Sequence, residues 1–204
     1  MGFYARVISP RLCDWLMSDP RMAALRSESL AQASGEILEI GFGTGLNLPH
    51  YPGSVRRITT VDPNPGMGSR ARLRIARSGI LVDHRVLSGE ELPFAEGSFD
   101  CAVSTWTLCS IPDPDRAVRE VYRVLKPGGR FFFLEHGLSD QPRVRAWQRR
   151  LNPIQRRLGD GCRLDLDVEA VVRGQPFAEV RVERFVMDRT PRTHGTMYRG
   201  AGVK

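Results

Sequence analysis

Hydrophobic residues in this chain are concentrated in short runs, and segments with the residue spacing of a helix lie between some of these runs. The runs occupy residues 37–40, 55–61, 80–87, 100–104 and 131–135. Between the fourth and fifth runs, apolar residues recur at intervals of three and four, as they do on the buried face of a helix. Continuous apolar runs that alternate with helices are typical of a parallel sheet covered by helices. The pattern therefore predicts an α/β fold.

The two ends of the chain and the region after the first run extend this pattern. Residues 4–33 have helical character that prolines interrupt, which predicts two or three short helices ahead of the sheet. A first crossover helix is expected to begin at residues 46–49. Near the C-terminus, residues 179–187 and 192–203 have the character of strands, and we expect them to form an antiparallel hairpin.

Charge and hydropathy place only weak limits on the partners and the location of the protein. The formal net charge is +7, and nearly all of the 30 basic residues are arginine. Genomic base composition can produce such a bias, so the charge indicates only a general preference for anionic partners. The chain has no run of about 18 apolar residues and no apolar N-terminal secretion signal, which predicts a cytoplasmic protein.

The four cysteines, Cys13, Cys101, Cys109 and Cys162, do not form a C-x-x-C pair. Scattered cysteines in a cytoplasmic protein are expected to be free and mostly buried thiols. The sequence therefore predicts neither a disulfide nor a metal site.

A glycine-rich turn follows the first apolar run and has the pattern E-x-G-x-G-x-G. A dinucleotide-binding fingerprint would need its third glycine at position 46, where the chain has Leu46, and no P-loop lysine follows. The turn resembles motif I of the class I S-adenosylmethionine-dependent methyltransferases. That resemblance implies S-adenosylmethionine as cofactor and a Rossmann-like, mostly parallel seven-stranded sheet with helices on both faces and an antiparallel terminal hairpin. It also implies cofactor-binding residues at Glu39, Gly41, Phe42, Gly43, Thr44, Gly45 and Asn47.

Asp62 and Pro63 directly follow the second apolar run. A carboxylate at the tip of a strand can accept hydrogen bonds from both hydroxyls of a ribose. Taken alone, Asp-Pro after a strand is usually a turn former. By resemblance to the family, Asp62 is the ribose-binding acid.

The stretch from Ser88 to Asp100 resembles the adenine loop and the following "LPF…GSFD" segment of UbiE-type quinone methyltransferases. Many of these proteins have an aspartate where this chain has Ser88, so the adenine amino group is left to Ser88, Glu90 or the backbone near Gly89. The segment after the fourth run is expected at the carboxyl edge of the sheet, where ligands bind in open α/β folds. It adds Thr105 and Leu108 to the predicted cofactor-binding residues.

The acceptor is expected to be a small molecule. The chain lacks the Asn/Asp-Pro-Pro-Tyr/Phe sequence and the Pro-Cys dipeptide that base methylation uses, and it lacks interleaved aromatic and basic residues, so a nucleic-acid partner is not predicted.

Glu135-His136 ends the fifth run, where a histidine could take a proton from a thiol or hydroxyl. The alternative is a structural histidine bonded to Glu135 or to a loop carbonyl.

Residues 143–158 place apolar side chains on one face among six arginines. Such a stripe is typical of a lid or a core-packing face, and we expect Pro153 to kink it. It could also form a weak contact with an anionic membrane surface.

Three short motifs together resemble the membrane-associated alkyl thiol methyltransferases of animals: "EH" at 135–136, "GDGC" at 159–162 and the terminal residues 198–204. The resemblance implies a thiol acceptor, and we assign His136 and Asp160 as catalytic candidates. A lipid amine or quinone acceptor, and a cofactor-binding module without catalysis, remain as alternatives.

We expect one domain over 1–204, with a helical cover (1–34), a cofactor-binding half (35–136) and a substrate-side helix and hairpin (137–204).

Overall fold

The computed structural model describes residues 14–65 and 68–204. Seven strands form one sheet in the order β3-β2-β1-β4-β5-β7-β6. The strands are β1 (Ile37–Ile40), β2 (Arg57–Val61), β3 (Leu81–Arg85), β4 (Phe99–Thr105), β5 (Leu125–His136), β6 (Glu179–Val186) and β7 (Thr196–Val203). The first five are parallel to one another, and β7 runs antiparallel to both β5 and β6. The predicted Rossmann-like sheet and terminal hairpin are confirmed.

Five α-helices have bounds within the described part of the chain, and residues 14–17 are also helical. They are α1 (Pro20–Leu30), α2 (Gly68–Ser78), α3 (Pro114–Val124), α4 (Pro142–Leu158) and α5 (Val168–Arg173). Local sequence explains where α3 begins, because Pro114 occupies its first turn and the Asp113 side chain accepts a hydrogen bond from the backbone N–H of Arg116. The part of the predicted N-terminal helices before residue 14 lies outside the described residues.

The core has one apolar layer on each face of the sheet. Alternate residues of β1 show the division, since Leu38 and Ile40 pack with α3 and α5, whereas Ile37 packs with residues of α1 and α2. Strands covered on both faces bury side chains at successive positions, as β1 and most of β4 do, which explains the apolar runs at these strands. The face that carries Ile37 also carries Glu39, which is buried with it.

Several predicted boundaries and one predicted element were wrong. The crossover helix expected at 46–49 is a single 3₁₀ turn, Leu48–His50, after which the chain runs directly to β2. Strand β5 begins at Leu125 because its first residues pair with β4 and with the C-terminus, where Gly128 donates its N–H to the Lys204 carbonyl. Strands β2 and β3 are shorter than their apolar runs.

Helix α4 buries only part of its predicted apolar stripe. Val144 and Gln148 are buried, whereas Trp147, Ile154 and Leu158 are each more than half exposed. The structure therefore contradicts the core-packing interpretation for most of the stripe. No helix among the described residues is both long enough and apolar enough to cross a bilayer.

Candidate active site

The carboxyl ends of β1, β2, β4 and β5 meet at one edge of the sheet because these strands are parallel. Each strand delivers a predicted site segment to that edge: the glycine turn after β1, Asp62 after β2, the loop from Thr105 after β4, and His136 at the end of β5. A further loop, residues 159–163 after α4, reaches the same edge, where Arg163 donates its backbone N–H to the Cys109 carbonyl over 2.9 Å.

The three glycines of the turn all have left-handed backbone conformations, with φ of 73°, 55° and 78° at Gly41, Gly43 and Gly45. A Cβ on Gly41 would lie 2.0 Å from Oγ1 of Thr107, so the β4 loop packs directly on this backbone. Among the residues that the structure describes, a Cβ on Gly43 would have no neighbour closer than the Gly41 carbonyl oxygen at 4.0 Å. The face of Gly43 is therefore the open part of the turn, where a ligand can approach the backbone.

Asp62, which follows β2, holds this turn at the end of the neighbouring strand by a hydrogen bond. Its Oδ2 accepts the backbone N–H of Gly43 and its Oδ1 accepts that of Asn64, both over 2.8 Å. A carboxylate has about four acceptor positions, so each oxygen can accept one more donor. Burial raises the pKa of Asp62, although the two backbone N–H groups oppose this shift. The arrangement fits the two vicinal hydroxyls of a ribose.

Glu39 lies beneath the turn in a closed polar network. Its Oε1 accepts from Nδ2 of Asn47 over 2.9 Å, and its Oε2 accepts from the Tyr51 hydroxyl over 2.7 Å. Asn47 also donates to Oγ1 of Thr105 over 3.0 Å, which links β1 to β4. Burial raises the pKa of Glu39 from 4.5 to about 7, although the hydrogen bonds from Tyr51 and Asn47 favour its charged form. Glu39 is 1% exposed, so its hydrogen bonds join the end of β1 to Asn47 and Tyr51, and its role in cofactor binding stays a prediction.

A second acidic residue, Asp14, binds the glycine turn through Thr44 and was not predicted from the sequence. Asp14 accepts hydrogen bonds from Thr44 over 2.6 Å, from Arg74 over 2.6 Å and from Arg70 over 2.9 Å. Burial would raise the pKa of Asp14, but these donors outweigh it and hold the pKa below its usual value. Asp14 precedes the sheet and lies in no motif, so only its spatial contacts identify it.

Arg26 of α1 is a second residue that the sequence did not single out. Its guanidinium lies 4.6 Å from the Trp106 ring centre, and only 4% of the residue is exposed. Burial lowers the pKa of Arg26 to about 10. Trp106 has a left-handed backbone at φ 49°, an uncommon conformation for a residue with a side chain. The helical cover therefore packs on the β4 loop at the carboxyl edge.

The remaining predicted cofactor residues take different positions. Ser88 donates to Glu90 over 2.9 Å, and Glu90 accepts the backbone N–H of Asp113 over 2.8 Å, so these side chains fix the loop around Gly89. Leu108 is fully buried in the core and presents no side-chain surface to a ligand. Phe42 is also buried, with its ring packed against His84, and Pro63 is exposed at the rim.

The two catalytic candidates face different groups. Nε2 of His136 lies 3.1 Å from Sγ of Cys162, and its Nδ1 is buried without a hydrogen-bond partner among the described residues. Among the described residues the ring therefore bonds to neither Glu135 nor a loop carbonyl, and Glu135 instead accepts from Ser104. Asp160 instead accepts from Nδ2 of Asn64 over 3.4 Å, beside the predicted ribose acid. The catalytic roles of His136 and Asp160 stay predictions.

Comparisons with known proteins agree with this geometry. A family model described as a methyltransferase domain matches residues 38–133. The chain is 38% identical over 151 residues to thiol S-methyltransferase TMT1B of Rattus norvegicus, covering 72% of this chain and 62% of that protein. The Homo sapiens protein of the same name is 34% identical over 184 residues, covering 87% of this chain and 75% of that protein. The phosphatidylethanolamine N-methyltransferase of Cereibacter sphaeroides is 31% identical over 166 residues, covering 80% and 77%.

The chain thus spans less than two thirds of the rat protein and about three quarters of the other two. Among solved structures, phosphoethanolamine N-methyltransferase 2 of Haemonchus contortus in complex with S-adenosyl-L-methionine superposes with a TM-score of 0.75 at 16% identity. The superposition covers 99% of this chain and 59% of that one, and at this identity it establishes the fold alone.

Proposed function

This chain belongs to the S-adenosylmethionine-dependent methyltransferase family, and from that premise we propose that it transfers a methyl group to the sulfur of a small thiol. When bound, S-adenosylmethionine supplies an electrophilic methyl group attached to a sulfonium. After the transfer, the rest of the cofactor leaves as a neutral thioether. The described residues fit this group: the Asp62 carboxylate retains acceptor positions for ribose hydroxyls, and the open face of Gly43 admits close contact. We assign Glu39 and Asn47 to holding the turn in place beneath it.

The observation that carries the thiol assignment is the composition of the edge beyond the β4 loop. An apolar cluster there combines Leu134, Met187 and Met197 with the partly buried Met22, Leu25, Trp106 and Phe185. His136 pairs with Met197 across β5 and β7 and carries a thiol, Cys162, at hydrogen-bond distance. An apolar, sulfur-rich and largely buried environment suits a neutral thiol better than a cationic amine, since a buried cation needs a carboxylate partner. The likeness to thiol S-methyltransferases supports the same acceptor.

The protein's contribution to such a transfer is alignment and exclusion of water. Holding two reacting atoms in line can contribute about 7–11 kcal/mol to lowering the barrier. The loop 159–162 is suited to this role because it contacts Asn64 through Asp160 and His136 through Cys162. We therefore place the proposed catalytic contributions of Asp160 at the cofactor end of this loop and of His136 at the acceptor end.

The proposal is tested by incubating the protein with methyl-labelled cofactor and a panel of thiols, amines and phenols. We expect label in apolar thiols as the corresponding thioethers, and we expect Asp62→Ala to abolish it. The matched control is Asp100→Ala, which removes an acid from the start of β4, at the amino edge of the sheet opposite the site. Label in amines or phenols but not in thiols would refute the acceptor. No label in any acceptor, with intact cofactor binding by calorimetry, would favour a binding module without catalysis.

A lipid amine is the second candidate acceptor, and one structural observation favours it. The exposed side chains Trp147, Ile154 and Leu158 lie on α4 among arginines, as expected of a helix that rests on an anionic bilayer. Co-sedimentation with anionic vesicles at low salt tests this contact. A protein that stays in the supernatant does not use a bilayer acceptor, whereas sedimentation that Trp147→Ala abolishes would support one.

A further inference from the structure

Three potential metal ligands converge at the acceptor end of the carboxyl edge. Cys109 lies in the short helix after β4, His136 ends β5, and Cys162 lies in the loop after α4. Their ligand atoms all lie within 4.8 Å of one another. Cys109 and His136 are buried and Cys162 is partly buried. Three elements that are far apart in sequence thus bring two sulfurs and one imidazole nitrogen together.

The spacing of these atoms matches a tetrahedral zinc site after small side-chain adjustments. Zinc–sulfur bonds of about 2.3 Å and zinc–nitrogen bonds of about 2.0–2.1 Å place ligand atoms about 3.6–3.8 Å apart in a tetrahedron. The observed separation is 3.1 Å between Nε2 of His136 and Sγ of Cys162, and no separation in the set exceeds 4.8 Å. Changes of about 1 Å or less, within the reach of side-chain torsions, would complete the geometry.

The three ligand atoms, two sulfurs and one nitrogen, indicate which metal the cluster would bind and how many coordination positions would stay open. Two cysteine sulfurs and one histidine nitrogen form the Cys₂His set of catalytic zinc sites, which keep a fourth position open. In the described residues no other cysteine, histidine or carboxylate joins the set. His194 lies near, but its ring nitrogens face Thr193 at 3.0 Å and Gln155 at 3.3 Å.

The cluster is joined on both sides to residues of the cofactor site. Cys109 follows Thr107, whose side chain packs on Gly41, and Cys162 follows Asp160, which contacts Asn64 beside Asp62. An ion held by the cluster would therefore sit on the acceptor side of the predicted cofactor position.

We propose that Cys109, His136 and Cys162 bind a zinc ion and that the acceptor thiol occupies its fourth position as a thiolate. The second part rests on the thiol acceptor proposed above, whereas the first does not. On binding, the thiol S–H bond breaks, a sulfur–zinc bond forms, and the proton leaves with the water or hydroxide that the thiol displaces. A positive ion stabilises the thiolate at neutral pH, and the thiolate is the nucleophilic form. The catalytic role predicted for His136 then takes the form of zinc ligation.

The metal site is tested first by metal content. The reduced full-length protein is stripped with a chelator, loaded with zinc, and titrated against a chromophoric chelator, with zinc measured by mass spectrometry. We expect one tightly bound zinc ion per chain in the wild type. Cys109→Ser and Cys162→Ser are each expected to weaken binding by more than about 100-fold, since even outer-shell changes cost about 10–100-fold. Cys101→Ser is the matched control, because Cys101 is a buried cysteine of β4 outside the cluster.

Cobalt substitution gives a spectroscopic test that needs no variant. The cobalt form of the wild type should show the charge-transfer absorption of thiolate ligands and the intense visible bands of a tetrahedral ion. Addition of an acceptor thiol should increase the charge-transfer band, since a third sulfur enters the coordination sphere. Zinc binding that is equally weak in the wild type and in Cys162→Ser, or a cobalt form without thiolate bands, would overturn the site.

Failure of the zinc site and failure of the proposed function give different results. Tight zinc binding without thiol methylation would leave the metal site standing and contradict the acceptor. Thiol methylation at an unchanged rate in stripped, zinc-free protein would contradict the binding of the acceptor to zinc and leave the acceptor itself standing. An unchanged cobalt spectrum after thiol addition would contradict the coordination of the acceptor.

Discussion

The buried carboxyl of Glu39 makes folding stability depend on pH in a direction that is unusual for a carboxylate. Its pKa is raised from 4.5 to about 7, chiefly by burial, with the nearby Asp62 carboxyl adding to the shift and Arg26 opposing it. Below the unfolded pKa, both states carry the proton. As the pH rises from about 4.5 towards 7, the Glu39 carboxyl loses its proton in the unfolded chain but retains it in the folded protein. The free energy of unfolding therefore falls until the pH exceeds the folded pKa.

The magnitude follows from the size of the shift. A change of one pKa unit corresponds to about 1.4 kcal/mol, so a rise from 4.5 to about 7 lowers stability by about 3 kcal/mol between mildly acidic and mildly alkaline pH. Glu39→Gln removes the titrating group and keeps a planar side chain that can hydrogen-bond to Asn47 and Tyr51. We expect the variant and the wild type to be similarly stable at acidic pH, and the variant to be more stable by about 3 kcal/mol at alkaline pH.

Urea unfolding of the cofactor-free protein, followed by circular dichroism at a series of pH values, measures this difference. The control is Glu96→Gln, because the Glu96 side chain is 76% exposed and the substitution should leave the pH profile unchanged. If the wild type and Glu39→Gln gave parallel profiles across the whole range, Glu39 would titrate normally and the closed network beneath the turn would be refuted.

Four substitutions test the cofactor turn and the anchoring of α4. Gly43→Ala is expected to weaken cofactor binding measured by calorimetry, with a stability cost of only about 1–2 kcal/mol from its left-handed backbone, whereas Gly41→Ala should destabilise the fold more because its Cβ would overlap Thr107. Unequal cofactor affinity between Gly43→Ala and the wild type is the decisive result, and equal affinity would contradict the open face. Asp62→Ala should abolish cofactor binding and also lower the free energy of unfolding by about 2–4 kcal/mol, since two backbone N–H groups lose their acceptor; binding within twofold of the wild type would exclude the ribose role. Gln148→Leu should cost about 3–6 kcal/mol in denaturant melts, because Gln148 is fully buried and makes three hydrogen bonds to backbone groups; a loss below about 1 kcal/mol would show that those groups find other partners.

Sequence pattern and structure agree best where the information is local. The apolar runs predicted the five parallel strands because a strand buried on both faces requires apolar residues at successive positions. The glycine turn was recognised because its three left-handed residues need glycine. The position of Asp62 at a strand tip followed from the same reasoning, since parallel strands place their carboxyl ends together.

The sequence predicted less where contacts join distant segments. Asp14 was missed as an anchor of Thr44 because the contact spans the N-terminal cover and the turn, and no spacing rule relates them. The apolar stripe of α4 was interpreted as a lid or a core-packing face, because periodicity shows that one face is apolar but does not show whether anything covers that face. The crossover helix expected to begin at 46–49, after the first strand, is replaced by one 3₁₀ turn.

By itself, the sequence determined the order of the strands and helices, the glycine turn and the acid at the tip of β2, because each depends on residues that are neighbours in the chain. Only the tertiary structure decided which side chains share a site. Cys109, His136 and Cys162 show no pattern in the sequence, yet the parallel order of β4 and β5 and the return of the chain after α4 place them within 4.8 Å. Side-chain proximity across such separations depends on strand order and register, which local periodicity does not encode.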